Sequence, residues 1–179
     1  MNCLKLPQVY KAFLNLIFGV FMSTAFLMQQ LSPHFTLAEC VQSQVAKLKG
    51  IDNTPDEFAI ENMRRLCCQI LEPVRENYGI PINVSSMFRS PELNRAMNGS
   101  KKSQHMHGCA VDFKVKDVPN LELAIWIRDN LIFDQLILEA PTSDPFHGWV
   151  HCSLISGQNR MQTLTMIEGR YEQGLRKFT

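Results

Sequence analysis

Two short segments constrain the fold of this chain more than anything else in it. They are Ser103-Gln104-His105-Met106-His107-Gly108-Cys109-Ala110-Val111-Asp112-Phe113 and Gly148-Trp149-Val150-His151-Cys152-Ser153. An imidazole, a carboxylate and a second imidazole are the donor types that hold a catalytic zinc ion with one position left open for water. If His105, Asp112 and His151 are to converge, the two segments must lie side by side. Residues 109–115 alternate like a half-buried strand, which puts Asp112 on the face of Ala110 and Lys114, opposite Cys109, Val111 and Phe113. Gly108 allows a bend that swings His105 back toward Asp112. Residues 149–154 also read as a strand, so His151 is delivered from a rigid neighbour. On residue types alone the alternative stays open, because a histidine beside a strand is more often a satisfied polar group than a ligand.

The remaining elements follow from caps and periodicity. Thr36 and Glu39 form a capping box that predicts a helix over residues 36–48, closed by Gly50. Thr54 followed by Pro55 predicts a second helix start, with proline at the first helical position. Met63, Leu66, Cys67, Ile70, Leu71 and Val74 recur at helical spacing, so this longest helix buries one stripe until Tyr78 and Gly79 end it. Pro73 inside it predicts a kink or a split of its last turns. A strand over residues 81–88 presents Arg89 at its end, Ser90 caps a short helix over residues 91–97, and a polar loop over residues 98–102 leads to the first segment. A helix over residues 118–130 precedes strands over residues 133–139 and 149–155, with a last strand within residues 160–167. Helices come first and strands later, so the expected class is α+β, a small antiparallel sheet with helices packed on it and the zinc site on the sheet.

The pattern Ser103-x-His105-x-x-Gly108-x-Ala110-x-Asp112, followed by Trp149-x-His151, resembles the zinc motif of the D-alanyl-D-alanine carboxypeptidase-like peptidases, which include peptidoglycan-cleaving phage endolysins. Further landmarks of its single-domain members are resembled by His34-Phe35-Thr36-Leu37, Ile51-Asp52-Asn53-Thr54-Pro55, Leu71-Glu72-Pro73-Val74-Arg75, Phe88-Arg89-Ser90-Pro91-x-x-Asn94 and Phe133-Asp134-Gln135-Leu136-Ile137. The likeness runs in the family's order from about residue 34 to about residue 163. It implies that His105, Asp112 and His151 hold Zn²⁺, that Arg89 grips a substrate carboxylate with its rigid guanidinium fork, and that Ser103 helps to position substrate.

Peptide hydrolysis also needs a base. In many members of the family that carboxylate stands three residues before the second histidine, where this chain has Gly148. Glu139 is the first candidate, since it ends a strand beside His151 and resembles a recurrent glutamate of the phage-type members. Asp144 in the following loop is the second. The bland alternatives are a solvated strand end for Glu139 and a surface arginine before a helix cap for Arg89. His107 and His147 are expected as ordinary exposed histidines, His34 as structural, and Asn94 as a brace for its loop.

Composition narrows the function. The 179 residues carry a net charge of +1, so there is no basic field to attract nucleic acid. Six cysteines form no paired C-x-x-C pattern, and they are expected to be mostly reduced, buried and apolar in behaviour. Lys5 and Lys11 precede an apolar run with small residues at Ser23, Thr24 and Ala25, so residues 1–33 are expected to be a signal peptide or membrane anchor, and residues 34–179 one domain, monomeric. The function expected is a zinc metallopeptidase cutting peptidoglycan stem peptides at the cell wall, as carboxypeptidase or endopeptidase. The alternative is a zinc-stabilised, non-catalytic module that binds cell wall or protein.

Overall fold

The computed structural model describes residues 26–177, and the expectation of a signal or anchor rests on residues that lie mainly outside these. Among the described residues, no helix is long and apolar enough to cross a membrane. The fold is α+β. Residues just before position 34 already belong to the folded unit: strand β1 (Gln30–Ser32) pairs with β2 (Phe35–Thr36), Leu31 is buried, and Ser32 Oγ donates to Glu72 at 2.6 Å.

The capping box at Thr36 is present, yet the helix it opens is short. Helix α1 (Leu37–Val41) stops at extended Gln42, and Ser43 starts α2 (Gln44–Lys49) by accepting from Ala46 N. The next helix, α3 (Glu57–Leu66), is capped by Asp56 rather than Thr54, because Asp52 holds the backbone and hydroxyl of Thr54 at 2.9 and 2.6 Å. A π-helical turn (Cys67–Leu71) then runs without a break into α4 (Glu72–Tyr78). This wide turn sets the last turns apart from α3, the split that is one of the two outcomes expected of Pro73. It lies immediately before Pro73, whose ring removes the N–H that an α-helix would have bonded to residue 69. The expected stripe is intact, with Met63, Leu66, Cys67, Ile70, Leu71 and Val74 all fully buried.

Six strands form the main sheet, in the order β3 (Ile82–Ser86), β4 (Ala110–Val115), β6 (Trp149–Ser153), β5 (Gln135–Glu139), β7 (Gln162–Ile167) and β8 (Arg170–Gln173). Every pairing is antiparallel except β5 with β7. The direction of the parallel pair follows from where the chain leaves β6. Ser153 lies beside Gln135 at the start of β5, and β7 joins the free edge of β5 from that same end, so it runs in the direction of β5.

The two faces of the sheet differ in character. The two remaining helices are α5 (Pro91–Ala96) and α6 (Asn120–Asn130), and Val111, Phe113, Leu136, Val150 and Cys152 meet the α3–α4 stripe and Leu123, Ala124 and Ile127 of α6 in one core. On the opposite face, register aligns Asp112, His151, Ile137 and Leu164 in a single row across four strands.

Candidate metal centre and its cavity

His105 is held from three sides. It lies in a 3-10 turn (Gln104–His107) ended by Gly108, whose φ is 68°. A Cβ at Gly108 would lie 2.4 Å from Ala59 O, so the turn packs directly on the α3 backbone and only glycine fits. Asn62 of α3 donates to His107 O at 2.9 Å, and Arg89 N donates to His105 O at 3.2 Å. His105 Nδ1 lies 2.7 Å from Met87 O. A carbonyl can only accept, so Nδ1 carries the proton and Nε2 presents its lone pair, the orientation that a backbone partner gives to metal-binding histidines. Burial is the largest influence on this imidazole, and it lowers the pKa despite the nearby Asp112. The neutral form is the one that ligates.

Asp112 and His151 are direct partners in the β4–β6 register. His151 Nδ1 is 2.8 Å from Asp112 Oδ1, and His105 Nε2 is 3.3 Å from Asp112 Oδ2. Burial pushes the Asp112 carboxyl up, but the two histidines outweigh it and hold the group far below the usual carboxylate range. Arg89 Nη2 also donates to Asp112 Oδ2, and Arg89 Nε donates to Ser86 Oγ at 2.7 Å. One donor atom from each of His105, Asp112 and His151 lies within 4.8 Å of the others. Donors about 2.0–2.2 Å from a tetrahedral zinc sit about 3.3 Å apart, so the separations and the chemistry of this donor set fit such an ion.

The three residues line a cavity of about 400 Å³, together with Arg89, Ser103, Glu139, Trp149, Leu164 and Tyr171. Arg89 thus stands at the site, but its fork is partly engaged: among the described residues only Nη1 lacks a protein partner. Glu139, 8% exposed, ends β5 opposite Trp149, one row along from His151. Burial raises its pKa, the positive side of His151 opposes this, and the charge of Asp112 adds to it.

Gly148 explains its own identity. Its φ is +77°, and a Cβ there would lie 1.9 Å from Glu139 O and 2.7 Å from Ala140 O. No carboxylate can therefore project from this position while Glu139 stays where it is. Asp144 is placed elsewhere, exposed in the loop, with Oδ1 accepting from Phe146 N at 2.9 Å, and it lines a separate cavity with Pro119 and Ile125.

The remaining residues singled out from the sequence are structural or exposed. His107 is exposed, His147 Nδ1 lies 2.9 Å from Ala140 O, and His34 pairs with Glu72 at 2.7 Å. Asn94 Nδ2 donates to Ser100 O at 2.9 Å and braces the loop before the 3-10 turn. Cys40, Cys67, Cys68, Cys109 and Cys152 are free thiols, and burial raises the pKa of Cys152.

Several supports were not read from the sequence. Gln104 Nε2 donates to Asp134 Oδ2 at 2.9 Å, and Arg160 grips the same carboxylate through Nε at 2.9 Å and Nη2 at 2.6 Å. This cluster ties the 3-10 turn to the start of β5. In the sequence Asp134 stands within the resembled landmark Phe133-Asp134-Gln135-Leu136-Ile137, with nothing to point to Gln104 or Arg160 as its partners; in the fold it is 1% exposed. Tyr171 had no signal, since β8 itself was not predicted.

A family model described as Peptidase M15 matches residues 33–153. The match takes in His105, Asp112, His151, Arg89, Ser103 and Glu139, and it ends before β7 and β8. No curated protein matches the chain.

Proposed function

The chain belongs to the M15 peptidase family, and from that premise we propose that it is a zinc metallopeptidase that hydrolyses peptide bonds of peptidoglycan stem peptides. It acts as a carboxypeptidase or endopeptidase, as a monomer, exported or membrane-anchored, at the cell wall in lysis or wall remodelling. The observation that carries the reading is the meeting of His105, Asp112 and His151 in one cavity with a desolvated carboxylate, Glu139, and a guanidinium, Arg89.

His105, Asp112 and His151 would hold the zinc, which when bound supplies Lewis acidity toward a water nucleophile and the scissile carbonyl. Glu139 takes the proton of the attacking water and returns it to the leaving amine, a role favoured by a carboxyl pKa that burial raises. Arg89 holds Asp112 in place and turns Nη1 to a carboxylate of the substrate, while Ser103 positions the peptide.

Glycine in place of an acid at position 148 favours the non-catalytic reading. Glu139 supplies a carboxylate to the same cavity, so that support is weakened. The deciding experiment digests purified peptidoglycan with zinc-reconstituted protein and weighs the soluble fragments. New amino and carboxyl termini within stem peptides are expected. Intact peptidoglycan that nevertheless retains the protein would favour the binding module.

A further inference from the structure

The family match stops at residue 153, yet the cavity continues onto residues beyond it. Register places Leu164 of β7 in the row of His151 and Ile137, and Tyr171 of β8 in the row of Trp149, Glu139 and Met166. Adjacent strands are about 4.8 Å apart, so Leu164 stands about 10 Å from the strand of His151, and the cavity runs across the strands away from the metal centre. Its floor at that end is apolar, with Ile137 and Leu164 4% and 7% exposed. Tyr171 also lines the cavity and is 60% exposed as a residue. Burial and the charges of Glu139 and Asp112 raise the pKa of that phenol, which agrees with its facing the same cavity.

The other end of the cavity has opposite chemistry. Arg89, Lys102, Ser100 and Ser103 line it, two cations and two hydroxyls. A peptide whose carboxyl-terminal part lies toward the cations must lay its amino-terminal part over β5 and the β7–β8 hairpin.

We propose that Ile137, Leu164 and Tyr171 form a subsite, supplied largely by the C-terminal hairpin, for a long side chain with an aliphatic stem and a polar tip on the amino-terminal side of the scissile bond. The stem covers Ile137 and Leu164, and the tip passes the Tyr171 hydroxyl into water, as lysine-like side chains do on apolar surfaces. The inference rests on the peptidase reading for the direction in which the peptide lies.

The test uses the zinc-loaded full chain and peptides that differ only in the residue before the cleaved bond, lysine or alanine. Wild type is expected to favour lysine in kcat/KM by about tenfold or more, the scale on which an apolar pocket distinguishes side-chain length, with the difference in KM. Leu164→Ser should bring the ratio close to one, because it lowers kcat/KM for the lysine peptide by more than it lowers that for the alanine peptide. Tyr171→Ala should lower the lysine preference, and Tyr171→Phe should keep most of it. Should Leu164→Ser not fold, the exposed Tyr171→Ala decides alone, checked by zinc content and thermal midpoint. An unchanged ratio in Tyr171→Ala, or no lysine preference in wild type, overturns the subsite. If wild type cleaves neither peptide, the peptidase reading fails separately, and calorimetric binding of the two peptides to zinc-loaded protein tests the subsite: equal affinities overturn it.

Discussion

Glu139 and Gly148 are coupled through the backbone. The loop that follows Glu139 returns so closely that residue 148 must be glycine, and the carboxylate facing the metal centre then comes from β5. Glu139→Gln should keep the fold and its zinc while turnover falls by roughly 10²-fold or more, the scale of general base loss. Asp144→Asn, remote from the cavity, should change turnover little; the reverse ranking would move the role to Asp144. Gly148→Ala puts a Cβ into Glu139 O at a positive φ, and a strained backbone of this kind costs about 1–3 kcal/mol. It should lower both the thermal midpoint and kcat, because relief of the clash displaces Glu139. A Gly148→Ala protein with wild-type stability and rate would refute the coupling. The residue types of the site were legible because few donor sets suit zinc, whereas the reason for Gly148 was not, since it lies in a loop path that residue types do not encode.

Among the elements, the strands that carry Asp112 and His151 were legible through their alternation, and the long helical stripe through its period. The break between α1 and α2 was not, because neither Gln42 nor Ser43 is a strong helix breaker and Ser43 acts only through its bond to Ala46 N. The parallel placement of β7 was hidden for another reason: it follows from the strand edge that lies beside the end of β6, a property of the assembled sheet. The Asp134 cluster joins positions 26 and 30 residues apart with no periodicity to reveal them. Its pH behaviour is a test. The pairing with Arg160 is the largest influence on Asp134 and, against the opposing effect of burial, it holds the carboxyl below its usual range. A depressed folded-state pKa contributes stability above the unfolded value of about 3.9 and loses it as pH falls through the folded value. Asp134→Asn should therefore lower the thermal midpoint at neutral pH, and the gap from wild type should close in strong acid. A gap that stays constant across that range would show that the charge pairing is not what the aspartate contributes.

The molecule as a whole divides its labour between the faces of one sheet. Helices α3, α4 and α6 close one face into a core, and the other face carries the row from Asp112 to Leu164 beneath the cavity. Because His105 comes from a turn packed on α3 and Asp112 and His151 from paired central strands, the fold itself holds the three candidate donors together. Zinc should then raise the thermal midpoint by binding the native state, without being required for folding. The most direct measurement of zinc-dependent hydrolysis is a titration of metal-free protein with zinc while cleavage of a stem peptide is followed. Activity should rise from near zero to a break at about one zinc per chain, the stoichiometry of a three-ligand site, and should not rise at all in His151→Ala. Full activity without metal, or an unchanged titration in His151→Ala, would contradict it.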